Sequence, residues 1–113
     1  MAEHSYDRDW KLRTIVASDL QPGQKLAQAM HAAIEFTQDY PEITSVWHSL
    51  SNSVVILEHP DLTSFLEKLT ETNINYSCFY EPDLDDKLTA ITLEPTEASR
   101  KLTASLKLAL RNT

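Results

Sequence analysis

Residues 12–34 read LRTIVASDLQPGQKLAQAMHAAI, and the hydrophobic period changes in the middle of this segment. Its first part is rich in β-branched side chains and predicts a strand that ends near Ser18, where turn-forming residues follow. The second part predicts a helix over about 22–38. The mostly apolar stripe of this helix consists of Leu26, Met30, Ala33, Ile34 and Thr37. A strand that passes at once into a helix favours an α/β fold.

The middle of the chain continues this alternation. A short helix is predicted over 41–50, where apolar residues recur three and four apart and Pro41 suits the first turn. The apolar run VVIL at 54–57 follows. Such a run is typical of a strand that is covered on both faces, at or near the centre of a sheet. Asp61 is expected to cap a third helix that ends near Asn73.

The last part of the chain predicts a hairpin and a helix. Strand-like runs at 76–80 and 88–93 are separated by a loop short enough for an antiparallel connection. Thr96 is expected to cap the final helix. The apolar face of that helix comprises Ala98, Leu102, Leu106, Ala109 and Leu110. The order strand, helix, helix, strand, helix, strand, strand, helix predicts a four-stranded mixed sheet with helices on both faces.

Length and composition narrow the class of protein. A chain of 113 residues, 42% hydrophobic and 24% charged, predicts one compact domain over 1–113 that begins with a polar leader at 1–10. A single cysteine, Cys78, excludes an intrachain disulfide and a zinc site built from thiolates. No run approaches the roughly 18 apolar residues of a membrane span, and the N-terminus is too charged for a signal peptide. We therefore expect a cytoplasmic protein without membrane contact.

The charges are unevenly distributed. The net charge of −7 argues against general affinity for phosphate backbones. Residues 1–95 contain six basic and 16 acidic side chains, whereas the last 18 residues contain four basic side chains against Glu97. The four basic residues are Arg100, Lys101, Lys107 and Arg111. They form either a solvated helix face or a surface that binds a polyanion.

Gly23 is the only glycine of the sequence, and it lies where the first strand passes into the first helix. Open α/β sheets usually place their ligand crevice at such a strand end. The surrounding residues lack the second glycine and the Ser or Thr of nucleotide-binding loops, so we predict neither a Walker loop nor a dinucleotide site.

A polar stripe follows Gly23 along the helix. Its members are Gln24, Gln28, His31, Glu35 and Gln38. Such a stripe is either the solvated face of an amphipathic helix or part of a site. Small neighbours predict that His31 is partly buried, where its pKa could be tuned.

Residues 22–33, PGQKLAQAMHAA, resemble the first-helix signature of the type II, archaeal and eukaryotic, peptidyl-tRNA hydrolases. Gly23, Gln28, His31 and Ala32 match that signature in register. Residues 80–83 and 88–91 resemble the second signature of the family, an Asp-bearing loop before a strand that opens with Thr. The likeness covers about residues 12–110 and implies a small mixed four-stranded sheet flanked by helices.

The resemblance implies hydrolysis of the ester bond between peptide and tRNA, without a cofactor or a metal. The lysine that follows the glycine in the family stands one place later here, at Lys25. The loop is shorter and lacks glycine, so Glu81 or Asp83 would supply its carboxylate, while Thr89 matches the strand-opening Thr. Together these residues would polarise an ester carbonyl and orient a water. Gly23, Gln28 and His31 would support them, and Arg100, Lys101, Lys107 and Arg111 would bind tRNA.

The alternative is a non-catalytic module of the same fold that binds a protein or a small molecule. The acidic loop at 81–86 is also typical of a solvated hairpin tip, and its spacing lacks an EF-hand pattern. A homodimer is left open. Cys78 is expected to be a core residue rather than a nucleophile.

Overall fold

The structure of the protein is a computed structural model that describes residues 10–110. The predicted leader at 1–10 and Arg111 therefore lie, except for Trp10, outside the described residues. Five strands and four helices alternate as follows: β1 Leu12–Ala17, α1 Pro22–Asp39, α2 Pro41–Leu50, β2 Val54–His59, α3 Leu62–Leu69, β3 Tyr76–Glu81, β4 Lys87–Leu93, α4 Glu97–Leu102 and β5 Lys107–Leu108. A single 3₁₀ turn, Pro82–Leu84, joins β3 to β4. None of the helices within this part of the chain is long and apolar enough to cross a membrane.

The strands form one mixed sheet in the order β3-β4-β1-β2-β5. β1 and β2 are parallel, whereas β4 pairs with β1 and β3 in the antiparallel sense. The parallel pair arises because α1 and α2 carry the chain back to the starting edge between β1 and β2. This confirms an α/β domain with a mixed sheet, but the prediction of four strands is wrong, because β5 adds a fifth.

β5 replaces the second half of the predicted C-terminal helix. α4 ends at Leu102, where the Thr103 hydroxyl donates to the carbonyl of Ser99 at 2.9 Å. The chain then reverses, and β5 pairs antiparallel with Leu57 and Glu58 of β2. Apolar residues at helical spacing predicted a longer helix, yet Leu106 packs on the main core after this reversal. The apolar residues after α4 have helical spacing, yet Lys107 and Leu108 form a strand.

Helices cover both faces of the sheet. α3 and α4 pack with Ile15 and Ile91 in the largest apolar cluster, on one face. α1 packs on the other face, where Ala29 and Ala32 meet Val16 and other small side chains. Successive strand residues point to opposite faces, which explains the alternation of Ile15 and Val16.

α1 does not bury the apolar stripe that an amphipathic helix would be expected to bury. Its buried side chains are Gln28, Ala29, Ala32 and Phe36, whereas Met30 of the apolar stripe is 66% exposed. α1 lies mainly over β3, β4 and β1. The two small alanines allow close approach of the helix to these strands, and the stripe is left facing β2 and solvent.

The expectation that β2 is covered on both faces is met only in part, because Ile56 packs with the α1 cluster while most of the strand stays accessible. Only Leu57 of its six residues is buried, and Val54 is 63% exposed. β2 lies next to the edge strand β5, while β4 and β1 occupy the middle of the sheet.

Candidate functional site

Three parts of the fold meet at one edge of the sheet: the start of α1, the ends of the parallel strands and the β3–β4 hairpin. Lys25 of α1 contacts Glu58 at the end of β2, and Gln28 of α1 contacts Glu81 at the end of β3. Lys87, which opens β4, contacts Asp19 just after β1. The carboxyl ends of parallel strands are where open α/β sheets usually bind ligands. We call this region the α1 edge.

A hydrogen-bonded chain links the sheet to the hairpin carboxylate. The Thr89 hydroxyl donates to Gln28 Oε1 at 2.7 Å, and Gln28 Nε2 donates to Glu81 Oε1 at 2.7 Å. The backbone N–H of Asp83 donates to the other carboxylate oxygen at 3.2 Å. Thr89 is fully buried and Gln28 nearly so. Gln28 thus holds Glu81 in one orientation from a rigid position in the core.

These hydrogen bonds stabilise the ionised form of Glu81. The bond from Gln28 is the main cause that lowers the pKa of Glu81, followed by the Asp83 backbone bond, and the charge of His31 acts in the same direction. The carboxylate is therefore ionised at neutral pH and acts as an acceptor.

We expect the Glu81 carboxyl carbon to titrate below the ordinary glutamate value of 4.5 when followed by ¹³C NMR. Because the pKa is lowered in the folded protein, the stabilisation is present at neutral pH and is lost as pH falls through that folded-state pKa. Gln28→Ala should raise the midpoint of Glu81. Glu97, whose pKa is lowered chiefly by Arg100, serves as the internal control and should not move. A wild-type midpoint at or above 4.5 would contradict the geometry.

Lys25 forms an ion pair with Glu58 of β2. Its ammonium lies 2.7 Å from Glu58 Oε1, and both side chains are largely shielded, with 12% and 22% exposed. An ammonium has three N–H donors, and Glu58 takes one of them. Within residues 10–110, then, Lys25 lies at the α1 edge in an ion pair with β2 rather than with the hairpin.

Sequence reasoning missed three charged residues at this edge: Asp19, Glu58 and Lys87. The Lys87 ammonium lies 2.8 Å from the Asp19 carboxylate, and this hydrogen bond is the main cause of the lowered pKa of Asp19. Asp19 and Glu58 follow the apolar parts of two parallel strands. That position was the signal that could have identified them.

His31 is exposed, in contrast to the partial burial predicted from its small neighbours. His31 lies on the side of α1 next to β3, and its ring stacks on that of Phe79. The ring centroids are 4.4 Å apart and the angle between the ring planes is 10°. Phe79 packs against the apolar cluster under α1, and it also supports the ring of His31.

The two candidate carboxylates of the hairpin occupy different environments. Glu81 is tied to α1, whereas Asp83 contributes its backbone N–H and has an exposed side chain. Asp85 and Asp86 both have positive φ, 56° and 58°. Aspartate tolerates this left-handed backbone better than most residues, which explains how the loop turns without glycine.

Gly23 lies exposed in the first turn of α1, and a Cβ there would meet no atom within 4 Å. Neither its backbone nor its packing requires a glycine. The surface at the start of the helix is consequently open to an approaching ligand.

The predicted basic surface is divided between two elements. Arg100 and Lys101 lie on α4, and Arg100 pairs with Glu97. Lys107 lies on β5 directly opposite Glu58, the partner of Lys25. Of the three described basic residues, Lys107 is the one that the strand register places at the α1 edge.

The described residues favour neither a cysteine nucleophile nor a metal site. Burial raises the pKa of the Cys78 thiol to about 11, which leaves it protonated at neutral pH and a poor nucleophile. Between residues 10 and 110, no group of three or more His, Cys, Asp or Glu side chains is arranged to hold a metal ion.

Comparison with known proteins bears on the fold. The sequence matches no protein-family model and no curated protein. Among solved structures, the chain is similar to a protein of unknown function from Agrobacterium tumefaciens, with a TM-score of 0.66 and 18% sequence identity. The similarity covers 90% of this chain and 98% of the other. At this identity it shows a shared fold and carries no statement about activity.

Proposed function

We propose that the protein is a carboxylic ester hydrolase that releases the peptide from peptidyl-tRNA at the α1 edge. The observation that carries the proposal is the chain of hydrogen bonds from Thr89 through Gln28 to Glu81. It fixes an ionised carboxylate against Gln28, which lies one helical turn after Lys25 on α1. The resemblance of residues 22–33 to the type II hydrolases supports the same assignment.

Glu81, Lys25 and Thr89 each have a different role in the proposed reaction. Glu81 accepts a proton from a water whose oxygen attacks the ester carbonyl. Lys25 donates one of its remaining N–H groups to the carbonyl oxygen as negative charge develops there. The ester C–O bond then breaks, and the ribose hydroxyl leaves with the proton that Glu81 took up. Thr89 is buried, so it acts by positioning Gln28 and does not touch the substrate.

Electrostatics limits how tRNA could approach. The loop carboxylates of Asp83, Asp85 and Asp86 are exposed and repel phosphates. The phosphates next to the acceptor end would therefore lie toward Lys107, on the β2–β5 side of the α1 edge. Arg100 and Lys101 would contribute only to long-range attraction.

The test is an assay of purified protein with a peptidyl-tRNA mimic, in which peptide should be liberated faster than in a buffer blank. Lys25→Ala should lower kcat by about 10²–10³-fold, the usual effect of losing one donor to a developing oxyanion. Lys68→Ala, an exposed lysine of α3 on the opposite face, is the matched control and should retain activity. The rate should also fall as salt is raised, because phosphate contacts are screened.

The second candidate is a non-catalytic binding module. The observation that favours it is the exposed apolar stripe of α1, with Leu26 52%, Met30 66% and Ile34 55% exposed. Exposed apolar clusters mark interaction surfaces. Absence of turnover above the blank, in a protein shown to be folded, would reject the hydrolase and leave this function.

A further inference from the structure

A cavity of about 280 Å³ lies on the face of the sheet that α3 and α4 cover. It extends toward the amino ends of the parallel strands β1 and β2, whereas the α1 edge lies at their carboxyl ends. Its walls are the start of β1, the face of β2 and the turn that joins α4 to β5. We call it the basic pocket and define it by six of its lining residues: Lys11, Arg13, Arg100, Val55, Leu57 and Leu106.

The basic pocket exists because α4 is too short to cover the strands beneath it. α4 has six residues and is about 9 Å long, whereas β1 and β2 have six residues each and are about 20 Å long. The chain reverses after α4, and Leu106 returns to pack with Val55 and Leu57 at the main apolar cluster. These three side chains form the apolar part of the lining.

Lys11 and Arg13 contribute two cations from the start of β1. Residues two apart in an extended chain point to the same face, so both side chains line the pocket. Arg13 is only 6% exposed, and its Nη1 donates to the Lys11 carbonyl at 3.2 Å. A guanidinium carries several N–H donors, so it can hold this carbonyl and a ligand at once. Burial restricts the rotamers of Arg13, which holds its charge in position before a ligand arrives.

Arg100 supplies the third cation, from α4. It forms an ion pair with Glu97, and the two side chains are 45% and 38% exposed. An exposed pair of this kind contributes little to stability, so a ligand anion can replace the carboxylate. The pKa of Glu97 is lowered chiefly by Arg100, and the charge of Arg13 acts in the same direction. Both guanidinium groups therefore lie near this carboxylate.

The lining matches a phosphate group attached to a small apolar body. None of the described lining residues is acidic, although the chain carries a net charge of −7. A phosphate monoester carries a charge of about −1.5 to −2 at neutral pH, and guanidinium groups bind it through paired hydrogen bonds. Small-ligand pockets usually occupy about 300–1,000 Å³, so this cavity suits a small ester and not a nucleic acid helix.

We propose that the basic pocket binds a small phosphate monoester. The phosphate group contacts Arg13 and Arg100, and the organic group packs on Val55 and Leu57. This site lies on the face of the sheet opposite α1, so it is separate from the α1 edge and does not depend on the hydrolase activity.

The test is a titration of the full chain with phenyl phosphate, followed by ¹H–¹⁵N NMR. The backbone amide signals of Arg13, Val55 and Arg100 should shift to saturation, whereas those of Lys25 and Glu81 at the α1 edge should not. Inorganic phosphate should shift the same signals with weaker affinity, because it makes no contact with the apolar part of the lining. Benzoate, which has the same ring and a single negative charge, should also bind more weakly than phenyl phosphate.

A pair of variants on α4 separates the pocket from general electrostatic attraction. Arg100→Gln should weaken the binding of phenyl phosphate by about tenfold, the usual effect of losing one hydrogen bond to a charged group. Lys101→Gln is the matched control, because it removes the same charge from the next residue, which lines a different cavity beside Asn73. It should change the affinity by less than about twofold, since exposed charges are screened by salt. Both positions are exposed, so both variants should remain folded.

Three results would overturn the proposal. The first is a wild-type protein whose pocket signals show no saturable shift at millimolar phenyl phosphate. The second is an equal loss of affinity in Arg100→Gln and Lys101→Gln, which would show attraction without a site. The third is benzoate binding as tightly as phenyl phosphate, which would show that the pocket does not select phosphate.

Discussion

Replacing Glu81 with Gln is expected to lower kcat/KM for a peptidyl-tRNA mimic by about 10²–10⁴-fold, the usual contribution of a general base. The substitution keeps the size of the side chain and an oxygen that can accept from Gln28 Nε2, so the hairpin should keep its position. It removes the negative charge that takes up the proton of the attacking water. The fall should therefore lie in kcat, with KM nearly unchanged.

The matched control for this variant is Asp85→Asn, which removes one negative charge from the same hairpin at an exposed position. It should change kcat by no more than a few-fold. If both variants behave alike, the charge of the loop matters and Glu81 is not the base. For the wild type, the acid limb of the kcat/KM profile should lie below the ordinary glutamate value of 4.5, since the pKa of Glu81 is lowered in the free protein.

Replacing Phe36 with Ala is expected to reduce the free energy of unfolding by about 3–5 kcal/mol. Phe36 is fully buried in a cluster with Leu12 and Trp47, and its ring contacts that of Tyr40 with centroids 4.8 Å apart. Removal leaves a cavity at the point where α1, α2 and β1 meet. The loss is a large share of the total stability of a small domain, which is about 5–15 kcal/mol.

Equilibrium unfolding in urea measures this loss. Gln38→Ala, an exposed change on the same helix, is the control and should alter stability by less than about 0.5 kcal/mol. A loss below about 1 kcal/mol for Phe36→Ala would show that α1 and α2 do not share a rigid core.

Local signals predicted most of the elements, although α3 ends at Leu69 and not near Asn73. The change of period after Ser18 identified β1 and α1, and two caps formed as expected: Asp61 Oδ1 accepts from Ser64 N–H at 3.1 Å, and Thr96 Oγ1 accepts from Ser99 N–H at 3.2 Å. Caps and periods depend on residues a few positions apart. They can therefore be read from the chain before the tertiary structure is known.

Non-local features escaped prediction. β5 depends on pairing with Glu58, which lies 49 positions earlier, and nothing near Lys107 reveals that partner. The orientation of α1 was missed because the close approach of Ala29 and Ala32 to the sheet outweighs the burial of Leu26 and Met30. At the site, the ion pair of Lys25 joins residues 33 apart. The resemblance identified individual candidate residues. The residues that they contact are known only from the folded structure.

β5 also covers part of an edge of β2 that would otherwise be unpaired. It occupies backbone groups of β2 at Leu57 and Glu58, and the Ala109 N–H donates to the Ile56 carbonyl at 2.9 Å. These groups would otherwise template the addition of further strands. β2 combines apolar, β-branched residues with few charges, the composition of fibril-forming segments. Without β5, the apolar edge of β2 would therefore offer its backbone groups to a strand of another molecule.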